Sequence, residues 1–394
     1  MTDTAPSASS LNLLLLIEDP SWRDAIKRAL AKLGYGQTTA AVSPIDALYR
    51  LVSPTNKFSH LLVQPSAAAG MMDDLVGMTA GEAGSPTILV LLGNSPRPMP
   101  GYRMVPAPKP RALVDVLTTM PDRSRAKPRP QLSAADIMEA LDSGYVDCRF
   151  QPIVRMADAR PVGLEALARL HHPTHGTFGP HLFIPQVESA GLSLKLTEAV
   201  ARSAMTAMGA AFLEYHDLFL TINMPLDVVL HPETMSRIEA YRMMTGIPPE
   251  RILIELTESR PVWDIPVLAA ALARWQMAGY RIAIDDLGPS MVNQTELFEL
   301  PFHTVKLDKD IVLQSQVDRL AERYLQRTVA NAQSRPLSII AEGIEDEALW
   351  IRMRDMGVDQ AQGFLVARAL PASALPIWLD AWNAYARLPA RSVS

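Results

Sequence analysis

The sequence predicts two α/β domains, a small doubly wound domain followed by a larger (β/α)8-type barrel. Short apolar runs typical of strands alternate with helical stretches along the chain, which favours parallel sheets. A segment rich in proline and arginine interrupts this alternation near residues 121–131, and eight of the strand candidates follow it. A doubly wound open sheet is the main alternative for the larger domain.

The first domain is predicted over residues 11–120, after a small polar segment, 1–10, that we expect to be disordered. Its first apolar run, LNLLLLI, ends in Glu18 and Asp19, and a helical pattern follows. Two further apolar runs, HLLV and TILVLL, come later. This alternation is long enough for one small doubly wound domain.

Residues 121–132 are predicted to form an interdomain linker, because they contain almost no apolar side chains. The second domain is predicted over residues 133–388 and opens with a short helix N-capped by Ser133. Eight strand candidates separated by helical stretches follow, in the order CRFQPIV, PVGLEAL, LFLTIN, RILIEL, RIAIDD, HTVKLD, LSIIAE and GFLV. This number fits a barrel of eight strands.

The composition is that of a soluble globular protein, with 394 residues, 48% apolar and 20% charged. The net charge of −5 gives no support to binding of DNA or RNA. A single cysteine, Cys148, excludes an intramolecular disulfide and fits a reducing compartment. Because LNLLLLI is too short to cross a bilayer and no basic region precedes it, we expect a cytoplasmic protein without a membrane anchor.

Polar side chains gather toward the ends of the barrel's strand candidates, where parallel barrels carry their active sites. Six strands contribute them: Glu165, Asn223, Glu255, the pair Asp285 and Asp286, Lys306 with Asp308, and Glu342. Converging carboxylates without a cation would repel one another, so we expect a bound metal ion. Oxygen ligands without histidine or cysteine favour Mg²⁺ or Mn²⁺.

Two basic residues suggest the chemistry of this rim. Lys306 is a candidate for orienting a water molecule or neutralising a phosphate oxygen, although a salt bridge to a rim carboxylate would also explain it. Arg169, four residues after Glu165, is a candidate phosphate ligand or an ordinary surface arginine. These residues favour metal-assisted hydrolysis of a phosphoester, with an enolase-like enzyme as the close rival.

The segment GLEALARL (163–170) resembles the Glu-Ala-Leu signature of the EAL phosphodiesterases of cyclic di-GMP. The resemblance continues in order to about residue 385 through FQPIV, FIPQVESAGL, TINMP, IELTES, IDDLG, VKLD, AEGIE and QGFLVARALP. It implies a modified TIM-type barrel with one antiparallel strand. It also implies two Mg²⁺ or Mn²⁺ ions and hydrolysis of cyclic di-GMP to the linear dinucleotide pGpG.

The same resemblance implies roles for individual residues. The positions similar to metal ligands are Glu165, Asn223, Glu255, Asp285, Asp286 and Glu342. Lys306 looks like the residue that orients the water and Glu342 like a general base, acting with Glu165. The positions similar to ligand contacts are Gln151, Leu167, Arg169, Asp308 and Gln362. Glu258 and Glu345 match supporting positions, and Glu258 resembles the anchor of the loop after the aspartate pair.

The loop after the aspartate pair departs from the family. It is LGPSMVN (287–293), where the family has Phe-Gly-Thr-Gly, an aromatic residue and two serines. In the family this loop positions the second metal ion and helps to pair two barrels, so a homodimer or higher homo-oligomer is expected. The departure leaves an alternative, a cyclic di-GMP-binding effector with weak or no turnover.

The first domain resembles a response-regulator receiver, a flavodoxin-like fold. Glu18 and Asp19 match its acid pair, and Lys109 followed by Pro110 matches its Lys-Pro. Gln64 stands where the phosphoacceptor aspartate is expected. We therefore expect an interaction or dimerisation module that works without phosphorylation and that has a possible protein partner.

Overall fold

The computed structural model describes residues 12–32, 37–52, 58–68, 71–72, 75, 88–92, 103–105, 132–173, 176–257, 264–287 and 294–386. By packing, the chain divides into two compact units. The first comprises residues 1–130, 173–176 and 373–394, and the second comprises residues 131–172 and 177–372.

The first unit contains a five-stranded sheet in which every described pair of strands is parallel. The strands are β1 (Leu13–Leu16), β2 (Thr38–Ala40), β3 (His60–Val63), β4 (Ile88–Leu92) and β5 (Arg103–Val105). Their order in the sheet is β2-β1-β3-β4-β5. The described helices of this unit are α1 (Pro20–Lys32), α2 (Pro44–Val52) and the C-terminal α13 (Leu375–Ala386), with a 3₁₀ turn at Pro65–Ala68.

Strand β1 shows why this sheet is central to its unit. All four of its leucines are buried, which is the pattern of a parallel strand covered on both faces. Leu14 and Leu16 share a core cluster with Ala47 and Leu48 of α2, and Ile377 of α13 packs against the same cluster. The C-terminal helix is therefore part of the first unit's core.

The second unit is a barrel of eight strands with one short added strand. The barrel strands are β6 (Val146–Arg155), β7 (Pro161–His172), β9 (Phe219–Pro225), β10 (Ile252–Thr257), β11 (Arg281–Leu287), β12 (Thr304–Leu307), β13 (Ser338–Ala341) and β14 (Gln360–Ala361), and the added strand is β8 (Gly176–Phe178). Their order is β6-β14-β13-β12-β11-β10-β9-β7, and pairing of β6 with β7 closes the ring. The predicted TIM-like barrel is confirmed.

Strand β6 runs opposite to the rest of the barrel. It pairs antiparallel with β7 and with β14, whereas the pairs from β7 through β9 to β14 are parallel. This is the antiparallel strand that the family resemblance implies. Its register places Gln151 directly opposite Glu165 of β7.

The eighth predicted strand, GFLV (363–366), was misplaced. The last barrel strand is β14, three residues earlier, and residues 363–366 form a turn in which the Val366 N–H donates to the Gly363 carbonyl at 3.0 Å. Gly363 has φ 158°, and a Cβ there would lie 2.2 Å from the Ile344 carbonyl oxygen. The chain bends at the only residue type that permits this close approach.

The helices of the second unit are α3 (Ala134–Asp142), α4 (Pro180–Ser189), α5 (Ser193–His216, interrupted at Gly209), α6 (Leu226–Leu230), α7 (Thr234–Thr245), α8 (Ile265–Met277), α9 (Gln294–Leu297), α10 (Lys309–Gln314), α11 (Arg319–Gln333) and α12 (Glu347–Met356). The prediction that Ser133 caps the first of them is confirmed. Ser133 and Asp136 form a reciprocal capping box.

The barrel interior has an apolar floor below the ends of its strands. The floor cluster consists of Ile153, Phe219, Leu253, Ala283 and Ile340, one residue from each of five strands. Beside it, a Cβ on Gly163 would lie 2.4 Å from the Phe219 ring. The ring therefore occupies the space that a side chain at position 163 would need.

Candidate active site

Four carboxylates from four strands converge above the floor. Strand periodicity points Glu165 of β7, Glu255 of β10 and Asp285 of β11 into the barrel, and all three are buried. Glu342 follows β13 directly, and its N–H donates to the Leu307 carbonyl of β12 at 3.2 Å. The predicted convergence of the strand ends is present in the structure.

Lys306 of β12 lies among these carboxylates and is 1% exposed. Its Nζ is 2.9 Å from Glu255 Oε2, 3.1 Å from Asp285 Oδ1, 3.8 Å from Glu165 Oε1 and 2.5 Å from Glu342 Oε1. It donates a well-formed hydrogen bond to Glu255, whereas Asp285 Oδ1 is close without one. A single ammonium group therefore faces four carboxylates.

A bulge explains how two adjacent aspartates fit this arrangement. Ile284 pairs with Val305 and Leu287 pairs with Leu307, so Asp285 and Asp286 together oppose Lys306 alone. Bulges of this kind change the direction of side chains next to active sites. The structure describes the side chain of Asp285 and only the backbone of Asp286.

The electrostatics follow from burial and from the excess of negative charge. Burial raises the pKa of Glu255 well above its ordinary value, and Glu165 and Asp285 raise it further against the opposing effect of Lys306. Burial alone would lower the pKa of Lys306, but the surrounding carboxylates, Asp285 first, raise it well above its ordinary value. Lys306 is therefore held as a cation, and it does not neutralise the site.

Amide side chains hold Glu165 in place. Asn223 Nδ2 donates to Glu165 Oε1 at 2.8 Å, and Gln362 Nε2 donates to Glu165 Oε2. Gln362 Nε2 also donates to Gln151 Oε1 at 3.2 Å, and Gln151 Nε2 donates to the Ala367 carbonyl at 3.1 Å. The predicted residues Asn223, Gln151 and Gln362 thus form one network with the carboxylate of β7.

Other predicted residues lie apart from this cluster. Arg169 is buried and donates to the carbonyls of Leu167 and Ala168 on its own strand. The Asp308 carboxylate caps α10 by accepting from the N–H groups of Asp310 and Ile311. These contacts neither require nor exclude a bound ligand.

Leu167 is half-buried, and Glu345 is exposed and pairs with Lys309 at 2.9 Å. Two predicted features cannot be located: Glu258 and the loop residues 288–293 lie outside the described part of the chain. Their predicted roles stay predictions.

The chemistry of the cluster fits a divalent cation. Carboxylate and amide oxygens are the ligands that Mg²⁺ and Mn²⁺ prefer, and Asp285 Oδ1 is buried without a hydrogen-bond partner among the described residues. In the described ranges, no three His, Cys, Asp or Glu side chains are arranged around one metal position. Lys306 Nζ lies between these carboxylates, within 3.8 Å of an oxygen of each of the four.

Two buried residues escaped the sequence analysis. Thr221 and Thr304 point into the barrel two residues before Asn223 and Lys306, and both are fully buried. The signal was present in the strand periodicity, since each threonine shares a face with a predicted site residue. Threonine is common in strands, and its residue type alone gave no reason to single it out.

The acids of the first unit behave differently. Asp19 Oδ1 accepts from the N–H and hydroxyl groups of Ser21 at 2.8 Å and 2.7 Å, at the start of α1. Glu18 is exposed, and its N–H donates to Gln64 Oε1 at 3.1 Å. Lys109 lies outside the described residues. Within the described ranges, no helix is long and apolar enough to cross a membrane.

Comparison with curated proteins finds relatives of known activity. The chain is 27% identical over 260 residues to the cyclic di-GMP phosphodiesterase NbdA of Pseudomonas aeruginosa, covering 66% of this chain and 33% of that protein. It is 28% identical over 245 residues to the cyclic di-GMP phosphodiesterase RocR of the same species, covering 61% of each. The chain thus spans less than two thirds of the length of these relatives.

Solved structures and family profiles agree with these matches. The structure of the PaMucR phosphodiesterase in complex with c-di-GMP superimposes with a TM-score of 0.58 at 28% identity, covering 61% of this chain and 98% of that one. The EAL domain profile matches residues 134–369, more than half of the chain and nearly all of the barrel unit. The chain therefore belongs to the EAL domain family.

Proposed function

We propose that the barrel hydrolyses cyclic di-GMP to linear pGpG. The observation that carries the proposal is the convergence of Glu165, Glu255, Asp285 and Glu342 around Lys306 in an EAL barrel. The activities of NbdA and RocR and the c-di-GMP complex of PaMucR support the choice of substrate. A buried carboxylate whose pKa is raised, as that of Glu255 is, is typical of functional sites.

The metal cofactor is proposed on the same donor set. The residues that would hold two Mg²⁺ or Mn²⁺ ions are Glu165, Asn223, Glu255, Asp285, Asp286 and Glu342. When bound, such ions supply Lewis acidity toward the phosphodiester and balance the negative charge of the site. Their ligands are oxygens, which suits both ions.

The chain's own residues then have separate tasks. Lys306 stays protonated and holds the attacking water or a phosphate oxygen by its ammonium group. Glu342, the most exposed of the four carboxylates at 21%, would take up the proton of that water. The amides of Gln362 and Asn223 fix the orientation of Glu165.

Six residues are proposed to contact or support the ligand on the basis of family resemblance. Arg169, Leu167 and Gln151 would contact the nucleotide, with Asp308 at the start of α10, and Gln362 would do so from the Glu165 network. Arg169 would have to exchange its backbone hydrogen bonds for a phosphate contact. Glu345 would support the pocket through Lys309.

A second function follows from the sequence of residues 287–293. Pro289 restricts a loop that has two glycines in the family, and Met291 replaces its aromatic residue. This favours a cyclic di-GMP-binding effector with weak or no turnover. The retained carboxylates and Lys306 favour the enzyme, so hydrolysis is the leading proposal.

The first unit is proposed to be a receiver-like interaction module. Its strand order, β2-β1-β3-β4-β5, is the flavodoxin-like order. Gln64 stands at the end of β3, and its side chain accepts a hydrogen bond from the backbone of Glu18. We propose that this module comprises residues 11–120 and that residues 121–132 form the linker. The EAL barrel is proposed to begin at residue 133 and to end before helix α13, which packs in the core of the first unit. A cytoplasmic homodimer is part of the same proposal.

A hydrolysis assay tests the leading function. Purified protein with Mg²⁺ or Mn²⁺ should convert cyclic di-GMP to pGpG, and Glu165→Ala and Lys306→Ala should abolish turnover. Lys195→Ala is the matched control, because Lys195 pairs with Asp142 on the exterior and should be dispensable. No turnover by the wild-type protein with either metal would disprove the enzyme.

A binding assay separates the two functions. Tight binding of cyclic di-GMP in the presence of a chelator, with negligible hydrolysis when metal is added, would identify an effector. Restoring the family loop Phe-Gly-Thr-Gly-Tyr-Ser-Ser at residues 287–293 measures the effect of the departure. Equal rates with either loop would show that the departure is neutral.

A further inference from the structure

Two threonines lie beside the floor cluster of the barrel. Thr221 on β9 and Thr304 on β12 are 0% and 1% exposed. In register, Thr221 pairs with Leu253 and Thr304 pairs with Ala283, two members of the floor cluster. On its other side Thr221 pairs with Glu165 and Thr304 pairs with Ser338, so each threonine lies between one apolar and one polar neighbour in the sheet.

Neither hydroxyl oxygen has a hydrogen-bond partner among the residues that the structure describes. Buried hydroxyl groups in proteins nearly always have at least one partner, because desolvating them without one is unfavourable. A buried water molecule supplies that partner where two or more polar atoms face a common space. The two threonines thus mark places where such a water is needed.

Glu255 carries a carboxylate oxygen with the same deficit. Glu255 is fully buried, and its Oε2 accepts from Lys306 Nζ at 2.9 Å. Its Oε1 is buried without a partner in the described ranges. Because the Glu255 carboxylate reaches Lys306, it also lies above Thr304, which precedes Lys306 by two residues on the same face.

A small residue separates Thr304 from Glu255. Glu255 pairs in register with Ala283 on β11, and Ala283 pairs with Thr304 on β12. The Ala283 side chain is a single methyl group, whereas the other floor residues are larger. Space for one small molecule is therefore expected over Ala283, bordered by one hydroxyl and one carboxylate oxygen.

We propose that a buried water molecule over Ala283 links Thr304 to Glu255. The water accepts a hydrogen bond from the Thr304 hydroxyl group and donates a hydrogen bond to Glu255 Oε1. Thr304 is then a positioning residue, which acts through the water to keep the Glu255 carboxylate directed at Lys306. Its effect on turnover rests on the proposed function, whereas the presence of the water does not.

Thr221 provides an internal comparison. It pairs in register with Glu165, as Thr304 does with Ala283, and it is equally buried. Both oxygens of Glu165 already accept hydrogen bonds, Oε1 from Asn223 and Oε2 from Gln362. Removing the Thr221 hydroxyl therefore leaves the nearest carboxylate held, while removing the Thr304 hydroxyl does not.

A high-resolution crystal structure of the wild-type protein tests the water directly. We expect one ordered water within hydrogen-bonding distance of both Thr304 Oγ1 and Glu255 Oε1, and we expect it to be missing in Thr304→Val. A wild-type structure without that water would overturn the inference. The crystal structure tests the water molecule even if the protein does not hydrolyse cyclic di-GMP. Absence of hydrolysis would reject only the proposed function.

Kinetics test the positioning role. Thr304→Val should lower kcat by about tenfold, the usual effect of losing one hydrogen bond to a charged group, with KM changed by less than about twofold. Thr304→Ser restores the hydroxyl and should restore kcat. Thr221→Val, the matched substitution across the floor, should change kcat by less than about twofold.

Two kinetic results would overturn the role. One is an equal loss in Thr304→Val and Thr221→Val, which would indicate packing of the floor alone. The other is a Thr304→Ser variant as slow as Thr304→Val. If Thr304→Val does not fold, Thr304→Ala replaces it, and the same contrast between alanine and serine decides the question.

Discussion

Both units of the chain place acids where strands end, but only the barrel brings them together. In the first unit, Asp19 follows β1 and its carboxylate caps α1 through Ser21. In the barrel, acids from four strands meet at Lys306. The difference teaches that an acid at the end of a single strand can be used up as a local helix cap, whereas acids from several strands can share one buried cation.

The pKa values show the same contrast. Hydrogen bonds from the Ser21 side chain and from the Trp22 and Ser21 backbone lower the pKa of Asp19, which is fully exposed. Burial raises the pKa of Glu255. The charged form of Asp19 is stabilised by its own helix, whereas that of Glu255 is disfavoured by burial despite its contact with Lys306.

The largest effect is expected when the cation of the cluster is removed. Lys306→Met leaves four carboxylates in the barrel without an ammonium group and should lower the free energy of unfolding by about 3–5 kcal/mol. Urea denaturation of the variant in the presence of a chelator measures this. Lys309→Met is the control, since its exposed pair with Glu345 should contribute less than about 1 kcal/mol. Equal losses in the two variants would contradict a special role for Lys306.

Adding a divalent ion should stabilise the barrel through its acids and not through those of the first unit. Mn²⁺ at a hundred times its Kd should raise the free energy of unfolding by roughly 2.7 kcal/mol. Thermal unfolding with and without Mn²⁺ measures the effect. Asp285→Asn should reduce it, and Asp19→Ala should leave it unchanged. Stabilisation that survives Asp285→Asn would place the ion elsewhere.

The amide groups offer a smaller contrast. Gln362→Ala removes a donor from Glu165 and should lower kcat/KM by about tenfold or somewhat more, because the lost hydrogen bond is to a charged group. Gln64 lies in the first unit, where its side-chain oxygen accepts a hydrogen bond from the Glu18 N–H. Gln64→Ala should therefore leave kcat/KM unchanged. Steady-state hydrolysis of cyclic di-GMP compares them. An unaltered Gln362→Ala enzyme would show that Asn223 alone orients Glu165.

The smallest effect is expected at the acid cap. Asp19→Ala removes the acceptor of the Ser21 groups and should lower the unfolding midpoint of the first unit slightly. Differential scanning calorimetry on the full chain resolves this if the two units unfold separately. Glu18→Ala should shift the midpoint less, because the structure uses the backbone of Glu18 and not its carboxylate in the contact with Gln64.

The sequence predicted the barrel and its site best where strand pattern and chemistry coincide. Strands β7, β10 and β11 are largely apolar runs that each carry an acid, and the convergence of these acids was predictable. The bulge that sets Asp285 and Asp286 against Lys306 was not, because register depends on pairing with a distant strand.

Two other features required the structure. Strand β14 is only two residues long, too short for any periodicity to reveal. Helix α13 is rich in apolar residues, and an apolar sequence alone does not predict which of two cores the helix packs against. Packing groups it with the first unit, whereas the predicted second domain extends through it to residue 388.

The contact between Gly163 and Phe219 sets the height of the candidate site in the barrel. Glu165 follows Gly163 by two residues on the same inward face, so a shift of β7 by one pleat would place its carboxylate against the Phe219 ring. Only the unshifted alignment brings a residue without a side chain to that ring. Gly163 therefore fixes the register of β7, and with it the distance of the Glu165 carboxylate from the floor cluster.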